Sequence, residues 1–166
     1  MPERFDREAT LALKAALACA RRQGAAEMGG EHLLAGLAAI PSPVASTLSQ
    51  LGADARRLED AISRGEHDAR LLAGLGIDLA AVQRQLGDRL AIRWRTRRPR
   101  FRTDARQAIE AALEERRCLG TRRIRGEHLL LGLLRSSVAA RELLLALNID
   151  PMALRRTMLR ALAEGG

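Results

Sequence analysis

Glu31-His32 and Glu127-His128, each opening a Glu-His-Leu-Leu run, are the residues of this 166-residue chain whose types and spacing suit chemistry. A carboxylate beside an imidazole suits acid–base work or a metal, but a metal needs further donors at ligand spacing. Near neither pair is there a His-x-x-x-His, a third ligand or a cysteine partner. The two histidines instead read as one structural position used twice, and His67 as a solvated loop residue. Cys19 and Cys118 form no Cys-x-x-Cys and read as two partly buried free thiols. No Gly-x-Ser-x-Gly and no Cys/His arrangement is apparent. The single lysine, Lys14, lies between Leu13 and Ala15, so these residues hold no G-x-x-x-x-G-K-[ST] phosphate loop and cannot hydrolyse ATP by it. No metal, no cofactor and no enzymatic activity are expected.

Glu31 and Glu127 support a sharper reading. Each opens an apolar run, and a carboxylate at a helix start is favoured by the dipole by about 0.3–1 kcal/mol. That alone is one sufficient account of them. The same helix start offers unpaired backbone N–H groups to an anion, and Gly30 or Gly126 lets an anion approach the backbone closely. A carboxylate beside an anion site suits a ligand that carries a cation and a phosphate on one group, as phosphoarginine does.

The elements that position these pairs come from an internal repeat, which is sought before local structure is read. An offset of 96 carries Phe5 onto Phe101, Ala9 onto Ala105, Ala16 onto Ala112, Leu17 onto Leu113, Arg21 onto Arg117 and Gly24 onto Gly120. The run Gly30-Glu31-His32-Leu33-Leu34-x-Gly36-Leu37 falls on Gly126-Glu127-His128-Leu129-Leu130-x-Gly132-Leu133, and Leu51-x-x-Asp54 on Leu147-x-x-Asp150, without a gap. Each unit reads as four helices. The first, near 6–23, carries Ala9, Leu13, Ala16, Leu17 and Ala20 on one face, and Gly24 or Gly120 ends it. The second starts at Glu31 or Glu127 with Gly30 or Gly126 as cap. The third starts near Ser42-Pro43. The fourth starts at Asp54 and at Asp150-Pro151. The expected fold is all-α, two tandem pseudo-twofold four-helix repeats over 1–65 and 101–163.

Segment 66–100 stands outside the repeat and reads as an inserted helix pair, near 68–74 and 78–92, followed by a basic joint that Pro99 ends. Residues 89–102 hold seven arginines and Trp94. Arg93, Trp94, Arg95, Arg97 and Arg98 are the candidates for contact with a polyanion or an acidic partner, since arginines supply the electrostatic term and Trp94 can stack on a base. The alternative is a solvated joint with Trp94 packed into the bundle. The net charge of +8 comes almost wholly from arginine in an Ala-, Leu- and Gly-rich chain, a bias that compositional drift explains without a polyanion.

Aromatic residues are 2 % of the chain, so Leu and Ala must build the core, which suits helices. No run of 18 apolar residues exists and the N-terminus lacks an apolar signal core, so a cytoplasmic location is expected.

The doubled Gly-Glu-His-Leu-Leu-x-Gly-Leu motif resembles the N-terminal domain of Clp AAA+ unfoldases, especially the ClpC and ClpA type. A leading Phe, an Ala-rich helix, a basic residue shortly before Gly, and the Leu-Gly-x-Asp junction complete the pattern. The resemblance covers nearly the whole chain outside 66–100. It implies a bundle that recognises substrates and adaptor proteins for an unfoldase ring, with Glu31 and Glu127 holding a phosphoarginine guanidinium beside Gly30 and Gly126. Small cyclic-peptide ligands and the unfoldase itself are further implied partners. Three departures stand out: Gly30 and Gly126 replace a Thr common in ClpC-type relatives, the joint is long and basic, and the chain ends at Gly166 where ATPase modules would follow. The expectation is a free-standing, non-catalytic recognition module that modulates a Clp protease system. The alternative is a small Arg-rich nucleic-acid-binding regulator, which a steep salt dependence of DNA binding would reveal.

Overall fold

The computed structural model describes residues 5–74 and 100–164, with the backbone alone over 66–74. The described residues form helices α1 (Arg7–Arg22), α2 (Gly30–Ala39), α3 (Pro43–Gln50), α4 (Ala55–Gly74), α5 (Thr103–Cys118), α6 (Gly126–Ser136), α7 (Val138–Ala146) and α8 (Pro151–Glu164). Among the described residues there is no strand, only isolated bridges of Phe5 with Ile124 and of Met28 with Phe101. The chain is all-α, with one four-helix order used twice.

Local chemistry explains the helix starts. Ser42 Oγ accepts from the Ala45 N–H at 3.1 Å ahead of Pro43, and Ser137 Oγ does the same for Ala140 at 3.2 Å. Asp54 Oδ1 accepts from the Arg57 N–H at 3.0 Å and Asp150 Oδ1 from the Met152 N–H at 2.9 Å. The first helices end at Gly24 and Gly120, whose φ of +70° and +67° lie in the left-handed region that glycine enters without strain.

Packing follows from small residues. Ala12, Ala16, Ala108 and Ala112 are wholly buried on the inner faces of α1 and α5. A Cβ on Gly36 would stand 2.5 Å from the Ala12 carbonyl oxygen, and one on Gly132 would overlap that of Ala108. The glycine in each Leu-Leu-x-Gly-Leu therefore lets the second helix lie directly on the first. This brings Leu33, Leu34 and Leu37 of α2 together with Leu129, Leu130 and Leu133 of α6 in a buried centre.

The repeats interlock reciprocally. Helices α2 and α6 pack on each other, α2 also on α7 and α6 also on α3. The residue before α1 reaches the segment before α6 through the Asp6 N–H and the Ile124 carbonyl, 2.9 Å apart. The residue before α5 reaches the segment before α2 through the Arg102 N–H and the Met28 carbonyl, also 2.9 Å apart. That exchange carries the start of each repeat to the second helix of the other.

Four expectations need correction. The second helices start one residue earlier than read, at Gly30 and Gly126, with Gly29 and Arg125 as the caps. The segment 68–74 is the end of a continuous α4, not a separate helix, and His67 lies in that helix, not in a loop. A lone Gly65 costs a helix only about 1 kcal/mol, and no proline interrupts 55–74, so nothing stops the fourth helix early. Finally, Cys19 is buried but Cys118 is exposed, because α5 turns its last residue outward. The second expected inserted helix, 78–92, lies outside the described residues, as do Arg93, Trp94, Arg95, Arg97 and Arg98.

Candidate functional site

Both Glu-His pairs sit in the first turn of the central helices. The histidines are structural. His32 Nδ1 accepts from the Gly29 N–H at 3.0 Å, and its Nε2 lies 3.1 Å from Gln23 Oε1. His128 repeats this with the Arg125 N–H at 2.9 Å and Thr121 Oγ1 at 3.1 Å. An Nδ1 that accepts carries no proton, so each ring is neutral with its hydrogen on Nε2, and Glu31 Oε1 at 3.3 Å from His32 Nδ1 makes no ion pair. Burial pushes the His128 pKa down, which keeps this tautomer neutral. Each imidazole thus satisfies the cap N–H of its helix, the role that Glu or Gln plays in a capping box.

Glu31 is engaged from across the pseudo-twofold axis. Arg102, just before α5, donates from Nη1 to Glu31 Oε1 at 2.9 Å and from Nη2 to Glu31 Oε2 at 2.5 Å. The same guanidinium donates from Nε and Nη2 to Asp104 at 2.8 and 2.9 Å. Asp104 Oδ2 then accepts from the Gly30 N–H at 3.0 Å and from Ser137 Oγ at 3.1 Å. Burial alone would raise the Asp104 pKa, but the Arg102 and Gly30 donors, with Ser137, bring it down to about 2. The Arg102 pKa is pushed up, chiefly by Asp104 and then, against burial, by Glu31. A guanidinium on the carboxylate and an anion on the helix-start N–H are therefore both present, supplied by the chain itself.

Glycine makes this arrangement possible. A Cβ at Gly29 would overlap the Arg102 guanidinium, and one at Gly30 would overlap the Ser137 hydroxyl. No threonine fits at position 30 while those groups stay in place. At Gly126 the nearest groups to a Cβ are Val44 and Leu37 at 3.5 and 3.7 Å, ordinary contact distances.

The Glu127 end differs. By the offset of 96, Asp6 replaces Arg102, Glu8 replaces Asp104 and Arg125 replaces Gly29, while Ser42 caps α3 as Ser137 caps α7. Asp6 turns to its own helix, where Oδ1 accepts from the Ala9 N–H at 2.7 Å. Arg125 Nη2 lies 3.3 Å from Glu127 Oε1 with its side chain 45 % exposed, while that of Glu127 is 6 % exposed. Glu127 Oε2 is buried and has no hydrogen-bond partner among the described residues. The two sites expected to be alike are thus unlike among the described residues: both oxygens of Glu31 accept from Arg102, and one oxygen of Glu127 has no donor.

The pattern of the Clp repeat (R) N-terminal domain matches residues 4–68, 65–147 and 100–165. The chain belongs to this family. It is 33 % identical over 167 residues to the chloroplastic chaperone proteins ClpC2 of Oryza sativa subsp. japonica and ClpC1 of Arabidopsis thaliana, covering 99 % of this chain. The chain spans about 16 % of the length of these relatives. In fold it is similar to the N-terminal domain of ClpD from Arabidopsis thaliana, with a TM-score of 0.67 at 20 % identity, covering 97 % of this chain and 96 % of that one. It is also similar to the Hsp104 N-terminal domain from Candida albicans, with a TM-score of 0.63 at 15 % identity, covering 95 % and 90 %. The resemblance read from the doubled motif is thereby established at the level of the family. Among the described residues of this Clp repeat domain, no helix is long and apolar enough to cross a membrane, and no three His, Cys, Asp or Glu gather as a metal would need.

Sequence reasoning missed Arg102, Asp104, Ser137 and Arg125. Arg102 was counted in the basic joint as part of a diffuse charge, and the structure ties it to two carboxylates. One signal was present: the offset of 96 breaks at these very positions, exchanging Asp6 for Arg102 and Gly29 for Arg125.

Proposed function

We propose that this Clp repeat domain is a non-catalytic recognition module that binds substrates, adaptors or peptide ligands and thereby modulates a Clp chaperone–protease system. The group that reads the ligand is Glu127. What supports this is family membership together with one feature, a carboxylate oxygen buried at a helix start and lacking a hydrogen-bond donor among the described residues. Leaving such an oxygen unpaired costs about 1–3 kcal/mol or more, so a donor-rich cation from a ligand gains that amount by satisfying it. An arginine or phosphoarginine side chain of a bound protein has the required fork of donors, and its phosphate suits the N–H groups of the α6 start near Gly126. Arg125, exposed at the rim, moves aside or meets the phosphate.

Calorimetric titration with phosphoarginine, against arginine and phosphate as controls, tests this. Binding that weakens at least tenfold in Glu127→Ala, with the fold kept, is the expected result. No binding by the wild-type chain at millimolar phosphoarginine removes Glu127 as the reading group.

A further inference from the structure

We infer that the Arg102–Asp104 pair is a built-in occupant of the first-repeat site, so that the domain offers one guanidinium-reading carboxylate to ligands instead of two. Removing the Arg102 side chain uncovers a second such site at Glu31. This inference rests on the reading of Glu31 and Glu127 as equivalent ligand-type carboxylates, and its main test does not depend on a ligand binding at Glu127.

The occupancy is chemically complete. Two parallel N–H donors of Arg102 meet both oxygens of Glu31, at 2.9 and 2.5 Å, which is the fork-on-fork geometry of guanidinium recognition. The Asp104 carboxylate meets the Gly30 N–H at 3.0 Å, where an anionic group would approach the α2 start. Cation and anion are joined to each other by two further hydrogen bonds of 2.8 and 2.9 Å, so they stand as one zwitterionic unit. Ser137 seals the unit from the far side, with its hydroxyl on Asp104 and its oxygen capping α7. The lack of a Cβ at Gly29 and Gly30 provides the room, because a side chain at either position would strike Arg102 or Ser137. Around Glu127 the positions of Arg102, Asp104 and Gly29 are taken by Asp6, Glu8 and Arg125, and the helix cap equivalent to Ser137 is Ser42, which accepts from the Ala45 N–H of its own helix. The pairing is therefore particular to the first repeat. Arg102 acts as a specificity-determining residue for the number of ligands bound.

Chemical rescue tests the inference. Arg102→Ala should melt below the wild type, and N-ethylguanidinium should restore it while ethylammonium at equal ionic strength does not. A concentration ten times its Kd should raise the midpoint by about 3–6 °C in a chain of this size. Wild type and the double variant Arg102→Ala, Glu31→Gln keep only the Glu127 carboxylate for a guanidinium, so each should shift clearly less than Arg102→Ala. An Arg102→Ala variant that folds and ignores N-ethylguanidinium overturns the inference, as does an equal response in the double variant. Should Arg102→Ala fail to fold, arginine-selective 15N NMR of the wild type decides. A guanidinium with slowed rotation that is lost in Arg102→Lys is expected, and a spectrum in which Arg102→Lys removes no slowed guanidinium overturns the inference. Counting phosphoarginine by calorimetry separates the two readings. One equivalent for wild type and two for the double variant Arg102→Ala, Asp104→Ala, which clears both the cation and the anion position, supports both, and two for wild type overturns the self-occupied site. None for wild type with guanidinium rescue intact rejects the Glu127 proposal alone.

Discussion

The two repeats share a helix order, a buried leucine centre and a histidine cap, yet differ in every charged group that surrounds the helix start. In the first repeat Glu31 meets Arg102, which Asp104 and Ser137 hold in place. In the second, Glu127 keeps one buried oxygen without a donor among the described residues. The same divergence recurs between the first and fourth helices. Glu115 of α5 is buried and pairs with Arg155 of α8 at 2.8 Å. The offset of 96 places Cys19 and Glu59 at those positions. There burial, and next the Glu59 charge, push the Cys19 thiol up to about 11, while Arg22 takes Glu59 at 2.5 Å. Packing positions were held alike and polar positions were free to diverge. That is the behaviour expected when a core tolerates few shapes, whereas each polar group needs only some partner.

The core sets the largest expected effect and the sharpest test of equivalence. Leu33→Ala and Leu129→Ala should each destabilise the fold by about 2–5 kcal/mol, because both leucines are wholly buried at matching positions. Urea titration of the two variants should give similar losses. A loss below about 0.5 kcal/mol in either would break the equivalence of the two centres.

The glycines before the two glutamates should respond oppositely. Gly30→Thr must displace Ser137 and Asp104, at a cost of about 1–3 kcal/mol for overpacking plus the disturbed hydrogen bonds. A Cβ at Gly126 meets Val44 and Leu37 at ordinary distances, so Gly126→Thr should cost clearly less than Gly30→Thr. Thermal melts that rank the pair in reverse would mean that the first-repeat network is not in place in solution.

Acid should weaken the first repeat's network at a definable pH. Asp104 has its pKa lowered from 3.8 to about 2, so as pH falls the unfolded chain takes up this proton before the folded one does. Its contribution, about 2 kcal/mol by linkage, is fully present above the ordinary carboxylate value and is lost as pH falls through about 2. Asp104→Asn should flatten the fall in stability between pH 4 and pH 2, measured by urea titration at each pH. His128 has the same sign. Its lowered pKa makes its contribution present above the ordinary histidine value of 6.5 and lost below it, so His128→Gln should flatten the profile there.

How much of this was legible follows the same division. The offset of 96, the Leu-Leu-x-Gly-Leu runs and the Ser42-Pro43 and Asp150-Pro151 starts are local or repeated signals, and they gave the fold and its family. The length of α4 departs from the reading of 68–74 as a separate helix because no backbone breaker enforces a boundary there. Arg102, the partner of Glu31, lies 71 residues away and Asp104, the partner of the Gly30 N–H, 74 residues away, and no periodicity reports a contact that depends on how two repeats dock. What the sequence did contain was the mismatch of Asp6 with Arg102 within an otherwise faithful repeat.

The smallest expected effect is the most telling about Glu127. Glu31→Gln removes a charge that two guanidinium donors satisfy, and should cost about 1.5–3 kcal/mol, because it leaves the Arg102 donors poorly matched. Glu127→Gln removes a buried charge that, among the described residues, meets a half-exposed arginine at 3.3 Å, and it replaces the orphaned oxygen with an amide. The desolvation cost of the carboxylate falls, so stability should stay within about 0.5 kcal/mol of the wild type or rise. A native residue no better for folding than its neutral isostere is what a binding position looks like, since sites adapted to binding commonly trade stability for function. Loss of phosphoarginine binding in the same Glu127→Gln protein, with the melting temperature unchanged or raised, would join the two halves of that reasoning. A loss of 2 kcal/mol or more would instead make Glu127 a structural carboxylate like Glu31, and the two repeats would differ only in where their partners come from.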